Sequence, residues 1–161
     1  MASDLMLRRK WTFKAHGKQV VFVKHAKEQS AHVFMKALLW ALYLPEYPEL
    51  SVEIPVGDRF KPDVVALGPD HQPIFWGEAG KVSVDKIRSL VRRYRHTHFA
   101  IAKWNINITP LIALVEKAVA KYHRSAPFDI IRFPADSAER FIDEQGRIHV
   151  NHKMLEWTRL V

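Results

Sequence analysis

The feature that most constrains the fold is a turn-forming segment, Gly68-Pro69-Asp70-His71-Gln72-Pro73, which separates two short apolar runs. Val64-Val65-Ala66-Leu67 precedes this segment and Ile74-Phe75-Trp76 follows it. Glycine, proline and aspartate in such a cluster end a strand and reverse the chain, while β-branched and aromatic residues favour strands. The two runs therefore predict an antiparallel hairpin, in which Leu67 faces Ile74 and Val65 faces Trp76.

The same register places two acidic residues, Asp63 and Glu78, opposite each other at the open end of the hairpin. Opposed side chains share one face of a sheet, with Cβ atoms about 4.5–5.5 Å apart. Two carboxylates at that distance repel each other unless something neutralises them. Because Mg²⁺ is commonly held by one or two carboxylates together with a substrate phosphate, the pair predicts a Mg²⁺ or Mn²⁺ site. Lys81 follows just beyond Glu78 and is the first candidate for a helping cation.

The rest of the chain alternates between predicted strands and helices, with no linker and no internal repeat. The expected elements are a hairpin around His16-Gly17-Lys18, a buried helix over 27–43, strand over 50–67 with a break at Gly57-Asp58, helices over 84–94 and 109–122, strands at 99–102 and 129–133, and a last hairpin or edge at 148–150. Thr109 is the expected N-cap of the helix that Pro110 begins. This order predicts one α/β (α+β) domain over residues 1–161, with helices flanking a single mixed sheet.

Composition narrows the classes of function. The chain has 161 residues, 25 Lys and Arg against 17 Asp and Glu, a formal net charge of +8 and no cysteine. Disulfides and cysteine-bound zinc are excluded, and the positive charge favours a polyanionic partner, either nucleic acid or an acidic membrane surface. His96-x-His98 and His149-x-x-His152 lack a third ligand at zinc-like spacing, so we interpret them as chance pairs. No glycine-rich phosphate loop is present, and no small-molecule cofactor is expected.

No signal peptide and no apolar run long enough to span a bilayer can be recognised, so we expect a soluble, cytoplasmic protein without a membrane partner. Basic residues are concentrated directly after the carboxylate pair. Five of them are candidates for contact with nucleic-acid phosphates: Lys86, Arg88, Arg92, Arg93 and Arg95. A solvated helix face explains the same cluster equally well, and Glu53 and Asp58 are expected at the surface.

These residues resemble a known nuclease pattern. Pro62-Asp63, the hairpin, Glu78 and Lys81 resemble the PD-(D/E)XK motif of restriction-endonuclease-like nucleases. The chain is more closely similar to the YaeQ family, a variant of that fold. The similarity includes His25-Ala26-Lys27-Glu28 before the Leu38–Leu42 segment, Trp76-Gly77-Glu78-Ala79-Gly80, Lys86-Ile87 and, weakly, Ile148-His149-Val150-Asn151.

The resemblance implies a restriction-endonuclease-like fold and metal-dependent cleavage of nucleic-acid phosphodiesters. By position, it implies that Asp63 and Glu78 hold Mg²⁺ or Mn²⁺, that Glu28 is an accessory ligand, and that Lys81 assists the reaction.

The position of the lysine in this chain differs from the superfamily pattern. The superfamily has acid-x-Lys, which puts both side chains on one strand face, whereas Glu78-x-x-Lys81 puts Lys81 on the other face of a regular strand. Either a bulge at Gly80 corrects this, or Lys86 reaches in from the next helix.

Two alternatives to an active nuclease remain at this point. The chain can be a nuclease-fold protein without turnover that binds nucleic acid or regulates another protein. It can also be a protein-interaction scaffold in which the acidic residues are vestigial. The sequence does not distinguish DNA from RNA, nor the strand form of the substrate.

Overall fold

The structure is a computed structural model that describes residues 9–161; the first eight residues of the predicted domain lie outside the described part. The strands are β1 (Lys10–Ala15), β2 (Lys18–Val23), β3 (Ser51–Val52), β4 (Val64–Leu67), β5 (Pro73–Ala79), β6 (His98–Trp104), β7 (Phe128–Phe133) and β8 (Glu156–Leu160). The helices are α1 (Ser30–Tyr43), α2 (Val84–Arg93), α3 (Thr109–Ala120) and the short α4 (Ser137–Phe141), with a 3₁₀ turn at His152–Met154.

A six-stranded mixed sheet in the order β3-β4-β5-β6-β7-β8 forms the centre of the fold. The pairs β5–β6 and β6–β7 are parallel, and their connections run through α2 and α3. The pairs at either side of this parallel centre are antiparallel. This arrangement confirms the predicted α/β class, a mixed sheet flanked by helices.

Alternate residues of the central strands supply two separate cores, as expected for a strand period of two. Phe75, Ala100 and Ile131 face α1 and the β1–β2 hairpin. Trp76, Ile101 and Ile130 face α2 and α3. The sheet is therefore a middle layer between α1 on one side and the α2–α3 pair on the other. Within residues 9–161, no helix is long and apolar enough to cross a membrane.

The central hairpin has the predicted register over most of its length. Val64 pairs with Gly77, Val65 with Trp76 and Ala66 with Phe75. The prediction that Leu67 faces Ile74 is wrong, because the register shifts after Ala66 and Leu67 pairs with Pro73. The shift lies next to the turn, away from the end of the hairpin where the two acidic residues lie.

Other boundaries differ from the sequence prediction for local reasons. Only residues 51–52 and 64–67 of the predicted strand over 50–67 are strand, and Glu53 and Gly57 both have positive φ (54° and 80°) in the irregular segment between them. Thr109 is the first helical residue and not the N-cap; the N-cap is Ile108, whose side chain makes no capping bond. The edge predicted at 148–150 is an isolated bridge between Ile142 and Ile148, and the last strand, β8, comes later.

Candidate active site

Glu78 lies near the end of β5, and neighbouring side chains donate hydrogen bonds to both oxygens of its carboxylate. One carboxylate oxygen, Oε1, accepts a hydrogen bond from the ammonium of Lys86 at 2.8 Å. The other, Oε2, accepts one from the indole N–H of Trp76 at 2.7 Å. The residue is 6% exposed. Both oxygens are thus fixed in direction, one by a cation on α2 and one by a side chain of the same strand.

Asp63 lies directly before β4, at the position that the register predicts. Its backbone N–H donates to the carbonyl of Gly77 at 3.1 Å, and its Oδ2 accepts the N–H of Ala79 at 2.8 Å. The other oxygen, Oδ1, accepts no hydrogen bond from the described residues. The side chain is 21% exposed, so solvent reaches the carboxylate pair, Asp63 and Glu78, from the side of Asp63.

Burial and charge raise the pKa values of the carboxylate pair. Burial raises the pKa of Glu78, and the negative charge of Asp63 raises it further against the opposing effect of Lys86. Burial also raises the pKa of Asp63, although the Ala79 N–H and the nearby cations oppose the shift. Both pKa values therefore lie above the usual range of a carboxyl group. Burial is the main physical cause for both groups, joined in Glu78 by the charge of Asp63, and a bound cation would relieve it.

A second group of charges, on α1 and the segments before and after it, adjoins the pair. Glu28 Oε2 lies 2.6 Å from the ammonium of Lys36 and 2.7 Å from Nδ1 of His32. Lys36 is buried and also bonds Glu53 at 2.6 Å. Burial alone would lower the pKa of Lys36, but the bonds to the two glutamates raise it. Burial alone would raise the pKa of Glu28, but hydrogen bonds from Lys36, His32 and the His25 N–H lower it.

His32 joins this group to the carboxylate pair. Its Nε2 lies 3.0 Å from the carbonyl oxygen of Ala79 and 4.0 Å from Oδ2 of Asp63. A carbonyl oxygen only accepts, so Nε2 carries the proton in the bond to Ala79. The imidazole thereby fixes α1 against the end of β5, beside Asp63.

The structure places the two candidate lysines differently. Gly80 has φ of +88° and turns the chain away from β5, which leaves Lys81 exposed. Lys81 lies near Lys103, whose pKa is lowered by burial and by the charge of Lys81. Ser83 then caps α2, its side chain accepting the Lys86 N–H at 3.1 Å, and this start of the helix brings Lys86 to Glu78. Of the two routes that the sequence left open, the structure follows the one through α2.

The remaining basic candidates, on α2 and just after it, differ in their surroundings. Arg93 forms an ion pair with Asp58, and the hydroxyl of Tyr94 donates to the same carboxylate at 2.5 Å. The prediction that Asp58 lies at the surface is wrong, since its side chain is 2% exposed. Burial would raise the pKa of Asp58, but the bonds from Arg93, the Phe60 N–H and Tyr94 lower it to about 2. Arg88, Arg92 and Arg95 are exposed and form no ion pair within residues 9–161.

Sequence reasoning missed His32, Lys36 and the contact of Glu53. The helical spacing of Glu28, His32 and Lys36, each four residues apart, was an available signal, because such residues lie on one face of a helix. Glu53 carried no comparable signal, since its place depends on how the irregular segment after β3 folds back.

Some of the candidate ligands at this site suit a bound metal ion and others do not. The free Oδ1 of Asp63 and the raised pKa values of the pair suit Mg²⁺, which accepts a site of one or two carboxylates and keeps several waters. Glu28 fits less well, because Oε2 is taken by Lys36 and His32 and Oε1 by the backbone N–H of His25. Within residues 9–161, no group of three or more His, Cys, Asp or Glu side chains is arranged to hold a metal ion.

Comparison with known proteins gives likenesses in structure and none in sequence. No protein-family model and no curated protein matches the chain. The crystal structure of YaeQ protein from Pseudomonas syringae superposes with a TM-score of 0.57 at 16% identity, over 80% of this chain and 68% of that one. The YaeQ protein from Xanthomonas axonopodis pv. citri superposes with a TM-score of 0.53 at 13% identity, over 76% of this chain and 72% of that one. The chain therefore has the fold of the YaeQ proteins, as the resemblance in the sequence predicted.

Proposed function

We propose that the protein is a metal-dependent phosphodiesterase that acts on nucleic acid. The proposal rests on one observation, which is that two acidic side chains and one lysine lie close together. The Lys86 ammonium bonds Glu78 at 2.8 Å, and Asp63 is close enough to raise the pKa of Glu78. Perturbed carboxylates beside a fixed cation are typical of sites that handle protons and anionic substrates.

Asp63 and Glu78 would hold the metal. When bound, a metal ion in this role supplies an activated water and neutralises phosphate oxygens. The indole of Trp76 and the Ala79 N–H fix one oxygen on each carboxylate, so both groups are oriented before substrate arrives. Preorganised groups of this kind lower the cost of reorganisation during the reaction.

Lys86 supplies a positive charge next to the carboxylate pair. Its ammonium has three donors, of which one is used by Glu78, so it can also bond a non-bridging phosphate oxygen. His32 is 35% exposed beside Asp63, and its two ring nitrogens are held by Glu28 and by the carbonyl of Ala79. Glu28, neutralised by Lys36 and His32, would position His32 in this scheme rather than bind metal.

The test is cleavage of labelled DNA and RNA oligonucleotides with Mg²⁺ or Mn²⁺, for the wild type and for Asp63→Asn, Glu78→Gln and Lys86→Met. We expect the first two changes to abolish cleavage and Lys86→Met to lower the rate by about 10²-fold or more, as is common when one charge-stabilising group is removed. Lys81→Met is the matched control and should retain activity. Cleavage that depends on Lys81 and not on Lys86 would overturn the assignment of the lysine.

Calorimetric titration of Mn²⁺ into the same variants separates binding from chemistry. Asp63→Asn should abolish the heat of binding, while Lys86→Met should preserve it or strengthen it, because a competing cation is removed from Glu78. A wild-type protein that binds neither metal contradicts the proposal.

A second candidate function is a nucleic-acid-binding or regulatory protein that has this fold without turnover. The observation that favours it is the occupation of Glu28 and both oxygens of Glu78 by partners within the protein. Binding of an oligonucleotide without cleavage, under all the metal conditions above, supports this second function over the first. A third candidate, a scaffold for another protein, predicts no affinity for nucleic acid.

A further inference from the structure

A groove of about 510 Å³ lies between α2 and α3, on the side of the sheet that faces away from α1. Its apolar lining, called the floor below, consists of Val84, Leu114, Ala118 and Tyr122. Its rim consists of three cationic side chains, Arg88 from α2 with Lys117 and Lys121 from α3. No acidic residue is among those that line it in the described part of the chain. The groove is therefore apolar at the bottom and positive at the edge.

The rim cations are free to bind a ligand. Arg88, Lys117 and Lys121 are all exposed, and none of them pairs with a carboxylate within residues 9–161. Lys86 and Arg93 on the same helix differ, since each is held by a buried acid. A charge that is already paired contributes less to the binding of a new partner than an unpaired one. The rim is therefore a better surface for binding an anion than Lys86 and Arg93.

Tyr122, the aromatic residue of the floor, lies close to cationic side chains. Tyr122 lies with its ring centroid 5.6 Å from the guanidinium of Arg95 and 5.8 Å from the ammonium of Lys121. Aromatic rings beside cations in a positive groove are the usual means of binding unpaired bases, because every base has a flat face to stack and a phosphate beside it.

The geometry points to a site for an unpaired nucleotide of a single-stranded nucleic acid, with its base against the apolar floor and its flanking phosphates on the rim. A surface that only followed the backbone of a duplex would need no apolar floor, because bases inside a duplex are stacked and their faces are hidden. This inference rests on the proposed function, since it names the strand form of the substrate and a part of its path.

The groove and the carboxylate pair lie on opposite flanks of the same helix, α2. With 3.6 residues per turn, Val84 and Arg88 lie on one flank of the helix, and Lys86, which bonds Glu78, lies on the opposite flank. The exposed Arg92 follows Arg88 by one turn and borders a smaller hollow beside Asp58. A strand seated in the groove thus reaches the carboxylate pair by crossing α2, with Arg92 available at the crossing.

The experiment measures binding of a fluorescein-labelled single-stranded DNA oligonucleotide by fluorescence anisotropy in EDTA, at several salt concentrations. The variant is Lys117→Ala/Lys121→Ala, and the control is Lys27→Ala/Lys153→Ala, which removes two exposed, unpaired lysines outside the groove. The magnitude of the slope of log K against log salt should fall by about 1.4 in the variant, since each phosphate contact of a single strand contributes about 0.7. Equal slopes in variant and control would overturn the inference.

A second arm tests for the base. The wild type should bind the oligonucleotide at least about fivefold more tightly than an abasic strand of the same length, which is the lower end of the effect of stacking one base. Leu114→Gln, at a partly exposed position of the floor, should reduce this preference while it leaves the salt slope unchanged. Equal affinity for the abasic strand, or for a duplex of the same sequence, contradicts the assignment.

The two proposals fail in different ways. Because EDTA removes divalent cations, the binding measurements do not depend on turnover, and Asp63→Asn should bind the oligonucleotide like the wild type. If the wild type does not cleave but the Lys117→Ala/Lys121→Ala variant still has the smaller salt slope, only the phosphodiesterase proposal is contradicted. If the wild type and this variant cleave equally well, only the groove inference is contradicted.

Discussion

The ammonium of Lys86 lies 2.8 Å from a carboxylate oxygen of Glu78 and connects the first turn of α2 to the end of β5. The contact depends on Ser83, which caps the helix, and on Gly80, whose positive φ ends the strand. Lys86, in the first turn of α2, is therefore the lysine that lies beside Glu78, and Lys81 is not. The acidic residue and its cation come from two elements, so their distance is set by how α2 packs on the sheet.

Lys86→Met should destabilise the protein at neutral pH, because it leaves Glu78 charged and buried without its cation. Breaking a buried pair in this way costs roughly 3 kcal/mol. The pKa of Glu78, already raised by burial and by Asp63, should rise further, so the loss should shrink as pH falls and Glu78 takes up a proton. Urea denaturation at pH 7 and pH 4 measures both effects. Lys81→Met should stay within about 0.5 kcal/mol of the wild type, as exposed changes usually do.

Asp63→Asn should stabilise the protein above the pH at which Asp63 ionises. The folded-state pKa of Asp63 is raised, so the folded state holds its proton more tightly than the unfolded state, and ionisation costs stability as pH rises. The asparagine oxygen can still accept the Ala79 N–H. We expect a gain in the free energy of unfolding at pH 7 and none near pH 3. A loss of stability at pH 7 contradicts this expectation.

Asp129→Asn should destabilise the protein severely, because Asp129 is fully buried and accepts bonds from Tyr43, His98 and Arg159. Removing one partner of a buried charge network costs about 3–5 kcal/mol. Burial would raise the pKa of Asp129, but the bonds from His98, Arg159 and Tyr43 lower it to about 2. The stabilising contribution is therefore complete above the ordinary carboxyl pKa of about 3.9 and is lost as pH falls through about 2.

Denaturant unfolding at pH 7 and pH 2.5 tests this dependence on pH. The difference in stability between the wild type and Asp129→Asn should be smaller at the lower pH. The control is Asp136→Asn, at an exposed residue that lies 3.7 Å from Arg140 on the same helical face. A surface pair of this kind contributes less than about 1 kcal/mol, so the control should change little at either pH.

Gly77→Ala should destabilise the protein by about 1–3 kcal/mol, the usual cost of overpacking a core. A Cβ at this position would lie 2.8 Å from Cδ2 of Leu39, because α1 approaches β5 closely there. The double variant Gly77→Ala/Leu39→Ala, compared with Leu39→Ala alone, measures the clash in a double-mutant cycle. If the added methyl group costs as much in the absence of the Leu39 side chain as in its presence, the close approach of α1 is not the cause.

Several elements could be predicted because their signals are local. The turn between Gly68 and Pro73 fixed the pairing of Val65 with Trp76, and the periodicity of Ile87, Leu90 and Val91 marked the buried face of α2. The last strand, β8, was missed, since Glu156–Leu160 has a weak apolar pattern and pairs only through contact with β7. In the segment after β3 the sequence predicted only a break at Gly57-Asp58, whereas the segment is irregular from Glu53 onward and Glu53 contacts Lys36 of α1.

The sequence by itself determined that Asp63 and Glu78 lie near each other, because a hairpin register is set by the turn and by the alternation of side chains over a few residues. Only the tertiary structure decided which lysine accompanies them, that Glu28 is neutralised by Lys36 and His32, and that cations of two helices border one apolar groove. The physical reason is that charge partners from different elements meet through the packing of helices on a sheet. That packing depends on the whole core, which no short stretch of sequence encodes.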